Sequence, residues 1–374
     1  MQDIAIIGAS YLQLPAVRKA QEMGLRVHCF AWLDGAVCKD VADYFYPISI
    51  TDKEAILQKC REAGVAGVTS IASDVAVPTV NFVAGKLGLP GNDPRYSEVM
   101  TNKYSMRRSF RENGIPSPAF LEVSSETDPD ALELPGWPLI VKPTDRSGSR
   151  GVEKVFDREH LKKAVRFALE ESLHHEAIVE SFVEGREISV ESISWQGRHY
   201  VLQITDKVTT GAPYFIELAH HQPSDLPRDI QDRVRELVPR ALDALHIRCG
   251  ASHAEIKITP EGELYIIEIG ARMGGDFIGS DLVRLSTGYD FLQAVIEVAL
   301  GRFQEPVLPF QAYSGVYFLS QETAALKEVI THPEAIEGVV EAAVTDPVLR
   351  PIRCSADRSG YLIYARNNGR LILP

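Results

Sequence analysis

The chain has 374 residues, 45% of them apolar, with 39 basic and 51 acidic side chains and a formal charge of −12 at pH 7. That length exceeds what one hydrophobic core usually supports, so two or three domains are expected. The acidic balance argues against a coat for nucleic acid or an anionic membrane, and no stretch approaches the ~20 continuous apolar residues of a membrane helix.

Residues Ile4 to Gly8 are a short apolar run ending in glycine. Asp3 stands where a secretory leader would be basic, so a strand and turn are expected there instead. Pro15 opens a helix with Leu14, Val17 and Ala20 at helical spacing, Gly24 stops it, and Leu25 to Phe30 predicts a second strand. Thr51 and Asp52 cap a helix carrying Ile56, Cys60 and Ala63 on one face and ending at Gly64. Val65 to Ile71 then predicts a strand, and Pro78 opens another helix. This βαβα alternation implies a doubly wound parallel sheet over residues 1–98.

A basic helix, Thr101 to Gly114, and a loop rich in Ser, Glu, Asp and Pro, Ser124 to Pro138, follow. Strands dominate from Leu139 onward: Leu139–Lys142, Ala177–Phe182, Ile188–Ile193, Tyr200–Ile204, His253–Ile258 and Leu264–Ile269. One long helix presents Ile230, Val234, Leu237, Val238, Ala241, Leu242 and Leu245 on one face. Beyond Arg302 a tail of short β segments completes the chain. The five cysteines are scattered, without the spacing of a zinc site, and suit a reducing, cytoplasmic setting as small buried side chains.

Three constellations carry chemistry. In Gly250 to Asp276, Thr259-Pro260-Glu261-Gly262 predicts a tight turn. With a two-residue loop, Glu255 would oppose Ile266, and Glu268 would sit diagonally on the same face. Two converging carboxylates suit Mg²⁺ with substrate phosphates; on a solvent-facing hairpin the same acids would be inconsequential. Lys142 ends an apolar strand and is followed by Ser147-Gly148-Ser149-Arg150-Gly151, a combination that aims backbone N–H groups and one cation at phosphates. The third element, Ala177 to Glu187, runs an apolar strand into Glu180, then a glycine turn and Glu187; a plain polar connection would look the same.

In this order, Lys103, Lys142 with its glycine loop, Glu180 and Glu187, and Glu255 and Glu268 with Arg272, the chain resembles the ATP-grasp superfamily, which includes amino-acid ligases, D-alanine–D-alanine ligase and biotin carboxylase. The likeness spans essentially the whole chain, including SDVAVPTVNFVAGKLGLPG and NKYSMRRSFRENGIPSPAF. It implies a preATP-grasp α/β unit over 1–98, a central lobe with its linker helix over 99–185, and a C-terminal lobe with a β-rich tail over 186–374, the lobes being α+β with antiparallel sheets.

It further implies that Lys103 and Lys142 contact ATP phosphates under a loop from Ser147 through Gly148 to Gly151. Glu180 and the Phe182–Val183 backbone would read adenine, and Glu187 would hold the ribose. Glu255 and Glu268 would bind Mg²⁺, or Mn²⁺ in its place, and Arg272 would steady the transferred phosphate. The Gly274–Gly275 backbone would let substrate approach. Glu217-x-x-His220-x-x-Pro223 matches a family segment that lines the acceptor pocket. Gly270 stands where the family usually places an asparagine ligand, which puts the second of two ions in question.

The implied activity is ligation of a small-molecule carboxylate to an amine through an acyl phosphate, with a homodimer as a family option. A carbamoyl-phosphate or purine-biosynthetic ligase and a nucleotide-binding protein with a degraded site are the alternatives. A dehydrogenase rests only on the first glycine turn, which lacks the remaining glycines of a dinucleotide fingerprint.

Overall fold

A computed structural model describes residues 1–148, 150–212 and 215–373. Three sheets succeed one another along the chain. The first is parallel: β1 (Asp3–Ile7), β2 (Arg26–Phe30), β3 (Tyr44–Tyr46) and β4 (Gly67–Thr69), in the spatial order β3-β2-β1-β4. All five residues of β1 are buried, as helices on both faces require. α1 (Leu14–Glu22) covers Ile4 and Ile6, while α2 (Lys53–Ala63) and α3 (Val77–Leu87) cover Ala5 and Ile7. Asp52 caps α2 by accepting from the Ala55 N–H at 3.2 Å, and Gly64 ends it in the left-handed conformation, as the sequence predicts.

α4 (Ser97–Thr101) and α5 (Lys103–Glu112) lead to an antiparallel sheet of β5 (Phe120–Ser124), β6 (Leu139–Pro143), β7 (Glu153–Val155) and β8 (Glu176–Ser181), ordered β5-β8-β6-β7. α6 (Arg158–Glu171) packs on it through Leu161, Ala164, Val165 and Ala168. The third sheet has eight antiparallel strands. They are β9 (Arg186–Trp195), β10 (Arg198–Thr209), β11 (Glu217–Gln222), β12 (Gly250–Ile258), β13 (Leu264–Gly270), β14 (Tyr313–Leu319), β15 (Val339–Val344) and β16 (Gly360–Arg366). Their order is β13-β12-β9-β10-β11-β14-β16-β15.

α7 (Arg228–Ala244) lays Val234, Leu237, Val238, Ala241 and Leu242 against Ile188, Val190, Ile204, Ile256 and Ile266. Met106 and Phe110 of α5 join that core. α8 (Val283–Thr287) and α9 (Phe291–Ala299) follow; Phe291 and Val295 pack between Ile193 and Ala251 on one side and Ile4, Ile6 and Val17 on the other. α10 (Leu326–Thr331) packs on β15 and β16. Among the described residues no helix is long and apolar enough to cross a membrane, and all five cysteines are free.

One register departs from expectation. The β12–β13 loop has three residues, Pro260 to Gly262, closed by Thr259 N–H to Glu263 O at 2.9 Å. Gly262 takes φ +84, the left-handed position that such a loop needs. Ile256, not Glu255, therefore faces Ile266, and a bulge beyond it sets Glu255 directly opposite Glu268. The acids are closer partners than the diagonal expected from a two-residue loop.

Candidate active site

A cavity of about 190 Å³ lies between the second and third sheets. It is bounded by Lys103, Lys142, Glu180, Phe182 and Val183 on one side and by Glu187, Lys207, Glu217, Glu255 and Glu268 on the other. Ser147, Gly148, His253, Gly270 and Arg272 complete the wall. The expected nucleotide, metal and phosphate residues thus converge, from segments more than 160 positions apart. Ser149 of the expected loop lies outside the described residues.

One end of the cavity is rich in cations. In β6 and β8, Ile140 opposes Glu180, which places Lys142 diagonally on the same face. Lys142 Nζ is 2.8 Å from Glu180 Oε2, and Arg107 Nε is 2.6 Å from Oε1. Arg107 follows Lys103 by one helical turn of α5, so both reach inward. Burial would raise the Glu180 pKa, but Arg107 and Lys142 outweigh it and hold the carboxyl below its usual value. Burial pushes the Lys142 pKa down, with Arg107 adding to that push and Glu180 opposing it. Lys103 Nζ donates to Glu268 at 2.8 Å and to the Arg146 carbonyl at 2.6 Å.

The other end is rich in acids. Lys207 Nζ lies 2.5 Å from Glu187, 2.7 Å from Glu255 and 3.5 Å from Glu217. Burial opposes its charge, yet the three carboxylates raise its pKa well above normal. Glu255 is held well below normal: burial works against this, but Lys207 and His253 prevail. His253 bonds through Nδ1 to Glu191, a fully buried acid, and its Nε2 is 3.6 Å from Glu255. Burial disfavours the imidazolium, but Glu191 raises the pKa to about 9.

Two carboxylates facing each other across β12 and β13 are hard oxygen donors of the kind that Mg²⁺ shares with phosphates. The donor set fits such an ion, although among the described residues no three His, Cys, Asp or Glu side chains are grouped to hold a metal by themselves.

Gly270 has a steric explanation. A Cβ there would stand 2.7 Å from Asp74 Oδ1 and 2.9 Å from Arg272 Cζ. Asp74, in the loop after β4, grips Arg272 with two hydrogen bonds, at 2.9 and 3.0 Å. The space an asparagine would need is occupied by this ion pair. Gly274 is comparably constrained: its Cβ would meet Glu191 at 2.6 Å, and its N–H donates to Glu191 at 3.0 Å. Gly275 has room, the nearest atom being Ala72 Cβ at 3.5 Å. The Phe182 N–H donates to the Pro138 carbonyl at 3.1 Å, and Lys154 Nζ stands over the Phe182 ring at 3.4 Å.

β11 turns the adjacent histidines to opposite faces. His221 donates to or accepts from the Tyr364 hydroxyl at 2.9 Å, whereas His220 meets Phe318 edge-on and lies 3.7 Å from Asp276. His220 is buried and does not line the cavity; Glu217, three residues earlier, does.

Sequence reasoning missed Asp74, Arg107, Glu191, His253, Asp276 and Arg358. The spacing of Lys103 and Arg107 on one helix is a signal that could have found the second; the others depend on contacts between remote segments.

This arrangement, two antiparallel sheets closing on a charged cleft behind a parallel sheet, is that of the ATP-grasp class. Residues 136–281 match the family model described as ATP-grasp domain. Over that segment the chain is similar to the ATP-grasp domain family. It is 26% identical over 294 residues to alanine–anticapsin ligase of Bacillus subtilis (strain 168), which covers 70% of this chain and 62% of that one. It is 25% identical over 317 residues to an L-arginine-specific L-amino acid ligase of Bacillus subtilis, covering 80% and 75%. The solved L-amino acid ligase of Bacillus licheniformis superposes with a TM-score of 0.82 at 25% identity, covering 98% of this chain and 94% of that one. The chain spans less than two thirds of the length of the alanine–anticapsin ligases it matches.

Proposed function

We propose that the chain is an ATP-dependent carboxylate–amine ligase of the amino-acid type. The observation that carries this reading is the cleft itself, which Lys103, Lys142 and Arg272 line together with the carboxylates Glu187, Glu217, Glu255 and Glu268. The similarity to amino-acid ligases supports it. The lobes 1–98, 99–185 and 186–374 follow the succession of the three sheets, with α5 packed on the third.

In the reaction, a substrate carboxylate oxygen bonds to the γ-phosphorus of ATP as ADP departs. The amine nitrogen then bonds to the acyl carbon, phosphate leaves, and the nitrogen loses a proton. Phe182 and Val183 flank the base, Glu187 takes the ribose hydroxyls, and Lys103, Lys142 and the Ser147–Gly148 backbone face the phosphates. Glu255 and Glu268 would hold Mg²⁺, which supplies neutralisation of phosphate charge. Arg272, oriented by Asp74, meets the charge that builds on the transferred group. Glu180 keeps Lys142 and Arg107 in place without an excess of buried positive charge. These groups position and neutralise, as phosphoryl transfer chiefly requires.

The test is ADP release from Mg·ATP across a panel of amino acids, singly and in pairs. Release that requires one carboxylate and one amine is expected. Tight ATP binding without turnover over the whole panel would overturn the reading.

A further inference from the structure

Glu191 has no part in the reaction as drawn, yet it is a carboxylate with no exposed surface, and it does not line the cavity. Sinking a carboxylate into a sheet is costly unless its oxygens are bound. Among the described residues its only ion-pair partner is His253, which it faces directly across β9 and β12. The two oxygens serve different elements. Oε1 accepts from His253 Nδ1, and Oε2 accepts from the Gly274 N–H at 3.0 Å.

Each partner leads on to the cleft. His253 lines the cavity, and its Nε2 lies 3.6 Å from Glu255 Oε1, the same oxygen that Lys207 holds at 2.7 Å. Gly274 belongs to a turn held at three consecutive residues. Asp74 grips the Arg272 side chain, the Ala72 N–H donates to the Met273 carbonyl at 3.1 Å, and Glu191 takes the Gly274 N–H. Two of these ties come from the loop after β4 and the third from the eight-stranded sheet. The carboxylate sits so close that a Cβ on residue 274 would stand 2.6 Å from its Oε1 and 2.8 Å from His253 Nδ1. A turn that merely joined β13 to α8 would need no buried acid against it.

Resting on the reading of the cleft as a Mg·ATP site, we infer that Glu191 is a positioning residue. One oxygen fixes the turn behind Arg272, and the other fixes the imidazole that faces Glu255. A single buried carboxylate thereby sets the spacing between the arginine that meets the transferred phosphate and the carboxylate that would hold Mg²⁺. Glu191 touches neither substrate nor ion; it acts through His253 and the Gly274 backbone, as the outer partners of metal ligands do.

The experiment uses the β,γ-imido analogue of ATP, with Mn²⁺ affinity read by electron paramagnetic resonance and metal-free nucleotide affinity by calorimetry in EDTA. Glu191→Leu fills the space without either bond. His253→Asn keeps a donor for Glu191 but draws back from Glu255. Each should weaken Mn²⁺ binding about tenfold or more and leave metal-free nucleotide binding within about twofold. Glu191→Gln should hold Mn²⁺ within about threefold of wild type, because its amide oxygen accepts from Gly274 and its amide N–H donates to Nδ1 of the other imidazole tautomer. Unchanged Mn²⁺ affinity in Glu191→Leu or His253→Asn would overturn the positioning role. So would a glutamine variant as weak as the leucine one, or an equal loss of metal-free binding. Should Glu191→Leu not fold, His253→Asn and Glu191→Gln decide: loss in the first with retention in the second supports the role, and any other pairing overturns it. A wild type that binds neither the analogue nor Mn²⁺ would overturn the Mg·ATP reading and the inference with it, whereas wild-type binding with unaffected variants overturns the inference alone.

Discussion

The two ends of the cleft solve opposite electrostatic problems. At Glu180 two cations share one acid, and the acid is almost completely buried. At Lys207 three acids surround one buried cation, and those acids retain 16–27% side-chain exposure. The first arrangement leaves one cation over, whereas in the second Lys257, 3.1 Å from Glu187, and Arg358, 2.8 Å from Glu217, share the acids with Lys207. An anion such as a polyphosphate suits the first, and in the second the partly exposed Glu255, facing Glu268, is placed to meet a metal ion. The contrast also explains how a chain of charge −12 can receive anionic substrates: local pairing, not net charge, sets the field each ligand meets.

Glu180→Ala should break the cation-rich end most severely. It strands Arg107 and Lys142 together, and urea unfolding should show a loss of about 3–5 kcal/mol. A loss below about 1 kcal/mol would mean the pair is not held by that acid. Lys142→Met keeps the stem and leaves Glu180 its Arg107 partner; ADP release should fall roughly a hundredfold or more while the melting profile stays cooperative.

The two histidines of β11 sharpen the contrast by pH. Burial, with Arg370 nearby, lowers the His221 pKa to about 4 from 6.5. The folded state thus binds fewer protons than the unfolded state between those values. His221 therefore contributes stability above pH 6.5 that is lost as pH falls through 4, on the order of 3 kcal/mol. Urea midpoints across that window should fall in the wild type, and His221→Gln should flatten the slope.

The smallest effects concern the glycine pair. Gly274→Ala, forced against Glu191 and His253, should cost about 1–3 kcal/mol. Gly275→Ala should stay within about 0.5 kcal/mol, because its methyl would make only ordinary van der Waals contact with Ala72 and Leu12, at 3.5 and 3.9 Å. Equal costs in thermal melting would contradict the packing described.

Much of the fold was legible because periodicity and punctuation act locally. Asp52 and Gly64 bounded α2, and the apolar stripe from Val234 to Leu242 defined α7. The strands at Tyr44, Phe120 and Glu153 were not legible, being short or bounded by loop-forming sequence. Within the site, Lys142 and Glu268 carried strand-end and turn signals. Asp74 carried none: its importance arises from Arg272, 198 positions away. Arg358 and Asp276 are 82 positions apart and are equally silent in sequence. The hairpin register was off by one residue because a glycine after proline and glutamate extended the loop.

The distribution of apolar packing has a mechanical consequence. Ile4, Ile6 and Val17 of the first unit share one core with Ile193, Ala251 and Phe291 of the third, so apolar packing joins those two units. The β5–β8 sheet packs on α6 through a core of its own, built from Val123, Leu139, Val141, Leu161 and Val179. It is tied across the cleft by ionic and polar links such as Arg107–Glu180 and Lys103–Arg146. Hinge motion concentrates where a polar seam meets separate cores. The β5–β8 sheet, carrying Lys142, is therefore the jaw of the molecule, and the remainder is its frame.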